Sequence, residues 1–142
     1  QVLPAPGDES IIVATNNGVI SYANNNLAEG SMVKQGDIIK VNFNPKSGHE
    51  QAGYRSAVVI SNNIFNQKTG LTVVCPITNT DNHFPLHIPL DSRTKTTGVI
   101  LCEHVRTLDL KSRGYQLIEK IPNDLLKKTI DIIFAEIEQD EN

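Results

Sequence analysis

The sequence predicts a mainly β domain, a barrel or a sandwich, that ends in a single α-helix. Short runs rich in Val and Ile follow one another closely and are separated by Gly, Asn, Pro and Asp, which is typical of small all-β folds. Only near the C-terminus does the spacing of the apolar residues change to that of a helix. A chain of 142 residues, 39% of them hydrophobic, is long enough for one ordinary core.

Five stretches have strand character. In chain order they are 37–43 (DIIKVNF), 56–61 (SAVVIS), 71–77 (LTVVCPI), 86–90 (LHIPL) and 98–110 (GVILCEHVRTLDL). β-Branched side chains favour extended backbone, and residues that favour turns separate the stretches. Several short strands at this spacing predict the barrel or sandwich.

The stretch from 123 to 138 has helical periodicity. Its apolar residues Leu126, Ile130, Ile133 and Ile137 recur at intervals of four, three and four, so they fall on one stripe of a helix. A Pro-Asn-Asp sequence at the start of the stretch favours helix initiation. We expect this amphipathic helix to cover one side of the sheet.

The first 31 residues differ in composition from the rest. They contain three carboxylates and no lysine or arginine, and two short β-like runs flank Asn17-Gly18, a dipeptide that favours a hairpin turn. The chain begins without Met, and a Gly-Ser pair directly before Met32 is what a cloning junction leaves. We therefore expect an appended segment at 1–31 and a domain at 32–142.

Composition limits the classes of function. No run of about 18 apolar residues and no charged start with an apolar stretch is found, so neither a membrane span nor a signal peptide is expected. Cys75 and Cys102 lie in apolar runs, where reduced, buried thiols are expected. All 13 lysines and arginines lie between Met32 and Phe134, and this positive stretch permits a polyanionic ligand.

A series of motifs runs from about 34 to 138. They are Gly36-Asp37-Ile38-Ile39, a G-H-E-Q-A-G-Y-R loop at 48–55, A-V-V-I-S at 57–61, Pro76-Ile77-Thr78, Thr97-Gly98-Val99 and Arg106-Thr107-Leu108-Asp109. In this order they resemble the MazF/PemK family of toxins from type II toxin–antitoxin systems. Many spaced motifs in one order are far more specific than a single loop.

The resemblance implies an SH3-like barrel of the MazF/PemK/CcdB toxin type, acting as a homodimer in the bacterial cytoplasm. It implies sequence-specific, metal-independent cleavage of single-stranded RNA, in which the 2′-hydroxyl attacks its own phosphate and leaves a 2′,3′-cyclic phosphate. No metal, cofactor or membrane partner is expected. The expected partners are single-stranded RNA and a cognate antitoxin, and the acidic residues 1–31 are a candidate for the toxin-binding tail of that antitoxin, fused in cis.

Four residues are implied to carry catalysis. Arg55 matches the family's catalytic arginine, whose planar donors suit a phosphate with dispersed charge. Thr78 matches a threonine whose hydroxyl donates to a phosphate oxygen. His49 and Glu50 lie in the Gly-flanked loop, and each is a candidate for proton transfer. Taken without the resemblance, the same residues fit a salt-bridged arginine, an ordinary strand threonine and two solvated loop residues.

Loop cations and amides are the candidates for RNA binding. The residues predicted to contact RNA are Lys46, Gln51, Asn79 and Arg106. Lys68, Arg93 and Lys95 also flank loops, but loop cations are more often solvated. Further amides that can read base edges are those of Asn62, Asn63 and Asn82. His83 and His87 are four residues apart, but Phe84-Pro85 between them argues against a helical metal-binding pair.

Two departures from the family pattern keep alternatives open. The PemK branch completes its site with an Arg and an Asp on the strand after the T-G-V motif, where this chain has Leu101 and Glu103. Ser56 replaces a proline that usually follows the arginine. An inactive RNA-binding member is one alternative. A protein-binding gyrase poison like the CcdB toxins is another, although such a toxin has no need of the G-H-E-Q-A-G-Y-R loop.

Overall fold

The computed structural model describes residues 33–44 and 53–141, together with the backbone of three short strands in the first 22 residues. Four of the predicted site residues, Lys46, His49, Glu50 and Gln51, lie outside the described residues.

The N-terminal strands form a small sheet of their own. They are β1 (Val2–Pro4), β2 (Ile11–Ala14) and β3 (Ile20–Tyr22), paired antiparallel in the order β1-β2-β3. β2 and β3 flank the predicted Asn17-Gly18 turn, which itself lies outside the described residues. The two strands of the predicted hairpin are therefore confirmed.

The main sheet has seven antiparallel strands. They are β4 (Asp37–Asn42), β5 (Tyr54–Val59), β6 (Thr72–Thr78), β7 (His87–Pro89), β8 (Val99–Leu101), β9 (Arg106–Leu108) and β10 (Tyr115–Lys120). Their order is β10-β4-β5-β6-β8-β7, with β9 also paired to β6. Among the described strands the pairing does not close into a full ring. The predicted fold class, a mainly β sheet with a C-terminal helix, is confirmed.

Both faces of this sheet are buried, because strand residues alternate between two apolar clusters. The cluster on one face includes Ile38, Val58, Cys75, Ile77 and Ile100, and packs against the C-terminal helix α3 (Asn123–Ile137). The cluster on the other face includes Ile39, Val41, Ala57, Val59, Val74 and Leu110. We call these the helix face and the loop face.

Two helices were not predicted. α1 (Asn63–Thr69) is only seven residues long and is defined by its ends: Asn62 Oδ1 accepts from the Phe65 amide at 2.8 Å, and Gly70 ends the helix at a φ of 72°. α2 (Leu110–Arg113) is a single turn that Asp109 caps in the same way. Such short helices have no apolar periodicity for a sequence to reveal.

The predicted C-terminal helix is confirmed as α3, but one predicted strand and one residue of the predicted helical stripe differ from the structure. The run 98–110 is not one strand, because a turn in which the His104 amide donates to the Leu101 carbonyl separates β8 from β9. In α3 the most deeply buried residues are Leu125 and Thr129, whereas Ile137 of the predicted stripe is 74% exposed. The last turn of the helix, from Phe134 to Ile137, is exposed.

Both cysteines are buried and form no disulfide, as predicted. Burial raises the pKa of the Cys75 and Cys102 thiols, which keeps them protonated and unreactive. In the described part of the chain, no helix is long and apolar enough to cross a membrane.

Candidate active site

Arg55 and Thr78 lie at the same end of the main sheet. β5 and β6 pair up to Ala57 opposite Pro76, and each of the two residues lies two positions beyond this pair. Arg55 is opposite Val41 and Thr78 is opposite Val99. By strand alternation both side chains belong to the loop face. The structure thus brings together the two residues that the sequence identified as the main catalytic pair.

Local hydrogen bonds orient the Thr78 hydroxyl. Its Oγ1 accepts from the Thr80 amide at 3.1 Å, so its own proton remains available to donate to a ligand. The neighbouring Asn79 accepts from the Thr97 hydroxyl through Oδ1 at 2.9 Å. Asn79 is exposed. The contact uses only its Oδ1 and fixes the orientation of the amide group, so the NH2 group can still donate to a ligand. The β6 end therefore presents two oriented donors.

Gly98 is what allows β8 to approach this strand end. Its φ is +116°, and a Cβ at this position would collide with the Thr78 carbonyl oxygen. An L-residue is therefore both strained and sterically blocked at Gly98. The Thr-Gly-Val motif that the sequence shares with the toxin family thus has a structural cause.

Gly98→Ala is expected to destabilise the protein by about 2 kcal/mol or more, because conformational strain and a backbone clash add up. Gly70→Ala is the matched control, since Gly70 also has a positive φ but a Cβ added there would meet no atom within 4 Å. Urea unfolding of both variants measures the difference. Equal losses of stability in the two variants would show that the clash with the Thr78 carbonyl does not contribute to the destabilisation.

Arg106 contributes a second cation to the loop face. It is opposite Val74 in the β6–β9 pair, and its guanidinium carbon lies 4.8 Å from the centre of the Phe43 ring. This cation–π contact fixes the position of the charge and leaves the residue exposed. Phe43 directly follows β4, and Val74 belongs to the loop-face cluster, so the Arg106 charge lies on the same face of the sheet as Arg55 and Thr78.

The residues on either side of 45–52 are held by hydrogen bonds close to Arg55 in the sheet. Arg113 Nη1 donates to the carbonyls of Asn42 and Phe43, both at 3.1 Å. The Phe43 amide donates to the Gly53 carbonyl at 3.1 Å. A Cβ on Gly53 would collide with Asn42 Oδ1. The described residues that flank the predicted general bases, Asn44 and Gly53, therefore lie near Arg55 in the sheet.

A histidine between two carboxylates lies on the same face. His87 Nδ1 is 3.1 Å from Asp81 Oδ1, and His87 Nε2 is 2.9 Å from Glu103 Oε2. The His87 side chain is only 6% exposed. Burial alone would lower the pKa of His87, but the hydrogen bonds to Glu103 and Asp81 outweigh it and raise the pKa.

The two carboxylates respond in the opposite sense. Hydrogen bonding from His87 lowers the pKa of Asp81, and the His83 amide adds to this effect. Desolvation would raise the pKa of Glu103, but the hydrogen bond from His87 lowers it overall. Glu136 on α3 has a raised pKa, because it is partly desolvated and faces the charge of Glu103.

Not every predicted cation is available to RNA. The guanidinium of Arg93 is shared between Asp91 and Asp124, with the shortest contacts at 2.8 Å. It holds the pKa of Asp91 down to about 2 and connects a loop to the first turn of α3. The amide oxygens of Asn62 and Asn63 are likewise used within the fold, the second accepting from the Gln35 amide at 2.9 Å.

Nothing in the sequence indicated the contact between His87 and Asp81. From the sequence, His87 was considered only as one half of a metal pair with His83. Within the described residues, no group of three or more His, Cys, Asp or Glu side chains has the geometry to hold a metal ion. The sequence feature that could have indicated the position of His87 is the alternation of side chains along β7, which puts His87 on the face opposite to Ile88.

Several known proteins are similar to this chain in sequence and in fold. The family model of PemK-like, MazF-like toxins of type II toxin–antitoxin systems matches residues 34–133. The endoribonuclease PemK of Escherichia coli is 34% identical over 104 residues, which cover 70% of this chain and 78% of PemK. The crystal structure of MazF from Deinococcus radiodurans is similar with a TM-score of 0.67 at 31% identity, over 76% of this chain and 98% of that one. A MazE–MazF structure from the same organism has a TM-score of 0.67 at 26% identity, over 78% of this chain and 100% of that one.

Proposed function

Because the chain belongs to the PemK-like, MazF-like toxin family of type II toxin–antitoxin systems, we propose that it is an endoribonuclease that cleaves single-stranded RNA without a metal ion. The observation that carries the proposal is the position of Arg55 and Thr78 on the loop face at the same end of the neighbouring strands β5 and β6. By strand alternation both side chains belong to the same face, and one is a permanent cation while the other is a neutral donor. This is the pair of groups that a phosphate in a transition state requires.

In the proposed reaction, the 2′-hydroxyl of one nucleotide attacks the adjacent phosphorus. The bond from phosphorus to the 5′-oxygen breaks, which leaves a 2′,3′-cyclic phosphate and a 5′-hydroxyl. Arg55 stabilises the charge that accumulates on the phosphate oxygens, and Thr78 donates a hydrogen bond to one of them. A base accepts the 2′-hydroxyl proton, and an acid donates a proton to the 5′-oxygen. His49, Glu50 and Glu103 are the candidates for these two roles.

RNA binding is proposed to extend from this pair over the loop face. Arg106, fixed on Phe43, and Lys46 are proposed to contact the phosphates, while Asn79 and Gln51 contact the bases. Aromatic residues make up only 5% of the sequence and none is tryptophan, so we expect amide groups to provide most of the sequence preference.

The same family membership supports the proposed partners. A matched Deinococcus radiodurans toxin was solved as a MazE–MazF complex, and we propose that this chain too is neutralised by a cognate antitoxin. We propose that it acts as a homodimer in the bacterial cytoplasm, where both buried thiols stay reduced. The position of Arg55 and Thr78 on one face of the sheet favours a nuclease over a protein-binding gyrase poison, which has no use for them.

The proposed chemistry is tested with a mixed-sequence RNA in the presence of EDTA. We expect cleavage to persist and to leave 2′,3′-cyclic phosphate ends. A 2′-deoxy nucleotide directly before the cut is expected to abolish cleavage, since it lacks the nucleophile. The assay is run on the full chain and on the chain from Met32 onwards. Loss of cleavage in EDTA would contradict the metal-free mechanism, and cutting after a 2′-deoxy nucleotide would contradict 2′-hydroxyl attack.

A further inference from the structure

His87 and Thr78 belong to one face of the sheet, on the two strands that pair with β8. Both flank β8: Thr78 is opposite Val99, and His87 is opposite Leu101. Val99 and Leu101 are two residues apart on one strand, so Thr78 and His87 share the loop face. A ligand that contacts Thr78 and extends along β8 therefore approaches His87 and the carboxylate next to it.

The geometry of His87 favours its protonated form. When Asp81 and Glu103 are ionised, they can only accept hydrogen bonds. Each carboxylate faces one ring nitrogen of His87 within 3.1 Å. A neutral imidazole carries one N–H, so one of its nitrogens would face a carboxylate oxygen with a lone pair. The imidazolium donates to both. Three further titratable groups are near: His83 at 3.6 Å from Asp81, His104 at 3.8 Å from Glu103, and Glu136 on α3.

The contacts of His87 reach the catalytic strand end. Asp81 Oδ1 also accepts from the His83 amide at 2.8 Å, which closes a tight turn three residues after Thr78. The Thr80 amide, one residue before Asp81, is the donor to Thr78 Oγ1. His87 thereby connects the segment that orients the Thr78 hydroxyl with Glu103 in the turn after β8.

We propose that His87 is a positioning residue of the RNA-cleaving site, holding the Glu103 carboxylate and the Asp81 turn in fixed positions beside Thr78. The inference rests on the proposed function, because it concerns the same site. His87 does not itself transfer a proton to RNA, since both of its nitrogens are occupied by carboxylates. When His87 loses its proton, one of the two hydrogen bonds is lost and the corresponding carboxylate is released.

Two amide substitutions separate the two contacts. The side-chain NH2 of glutamine can occupy the place of Nε2, so His87→Gln retains a donor to Glu103. The amide of asparagine reaches only as far as Nδ1, so His87→Asn retains a donor to Asp81 alone. His83→Gln is the matched control, because the His83 side chain is 91% exposed and makes only a 3.6 Å contact with Asp81.

The measurement is kcat and KM for RNA cleavage from about pH 5.5 to about 8.5, the range in which histidine titrates. The parent's kcat is expected to fall as the pH rises through the raised pKa of His87, because the cation that holds Glu103 is lost. His87→Gln is expected to lack this fall. His87→Asn is expected to lose about 10-fold or more in kcat at every pH, as one charge-assisted hydrogen bond is removed. KM is expected to change little.

Unchanged kcat and an unchanged pH profile in both His87 variants would overturn the inference. Melting curves identify a variant that does not fold. If His87→Asn does not fold, the comparison of the parent with His87→Gln decides: persistence of the fall in kcat would also overturn the inference. A parent chain that does not cleave RNA at all, also when started at Met32, would instead contradict the proposed function. The two failures are thus distinguishable.

Discussion

Arg55→Ala is expected to reduce RNA cleavage by about 100-fold or more, as is typical when one preorganised donor to a developing charge is removed. Arg55 is exposed at the end of β5, and no apolar cluster depends on it. We therefore expect the substitution to change the protein's free energy of unfolding by no more than about 0.5 kcal/mol. Single-turnover cleavage together with urea unfolding measures both quantities. Thr78→Ala is expected to act in the same direction with a smaller effect, because it removes a neutral donor.

Two further variants make the Arg55 result specific. Arg55→Lys keeps the charge but loses the planar fork, so we expect it to recover only part of the activity. Arg93→Ala is the matched control, since the Arg93 guanidinium is held by Asp91 and Asp124 at the start of α3. It is expected to cleave RNA at nearly the parent rate. A folded Arg55→Ala protein with activity within a few-fold of the parent would remove Arg55 from the mechanism.

The strands that are buried on both faces were the ones that could be predicted most readily from the sequence. β4, β5 and β6 are covered on both faces, so their apolar runs were easy to recognise. β10 is an edge strand with an irregularity between Leu117 and Glu119, and its Leu117 is 58% exposed. Its sequence, YQLIEK, therefore has no clear strand pattern. An exposed edge is held by backbone pairing, which side chains do not reveal.

Site residues that lie within one local motif could be predicted from the sequence, whereas contacts between residues far apart in the chain could not. Arg55 and Thr78 each lie in a local motif, so a resemblance was enough to select them. His87 depends on Asp81 and Glu103, and Glu103 comes near only because β7 pairs with β8. No spacing rule connects these residues. The sequence did indicate that Leu101 leaves the PemK-type site without its second arginine. The structure adds that a histidine lies directly opposite this leucine.

Removal of the N-terminal segment is expected to cause a large increase in RNA cleavage. Residues 1–31 contain Asp8, Glu9 and Glu29 but no cation, and we propose that they are a toxin-binding tail that suppresses cleavage in cis. A tethered acidic segment competes with RNA phosphates for the cations of the loop face at high effective concentration. Removing it so that the chain starts at Met32 is expected to increase cleavage by about 100-fold or more, the gain that tethering typically provides.

The described strands constrain how this suppression works. β3 lies beside α1, and α1 connects β5 to β6 at the end of these strands remote from Arg55 and Thr78. The small sheet is therefore proposed to hold the segment on the body, while its acidic residues compete with RNA. Replacing Asp8, Glu9 and Glu29 by their amides in the full chain separates the two roles. If the charges act, this variant cleaves RNA nearly as fast as the chain from Met32. If the full chain, the amide variant and the shortened chain all cleave at the same rate, the segment is no inhibitor, and an unrelated extension is the correct description.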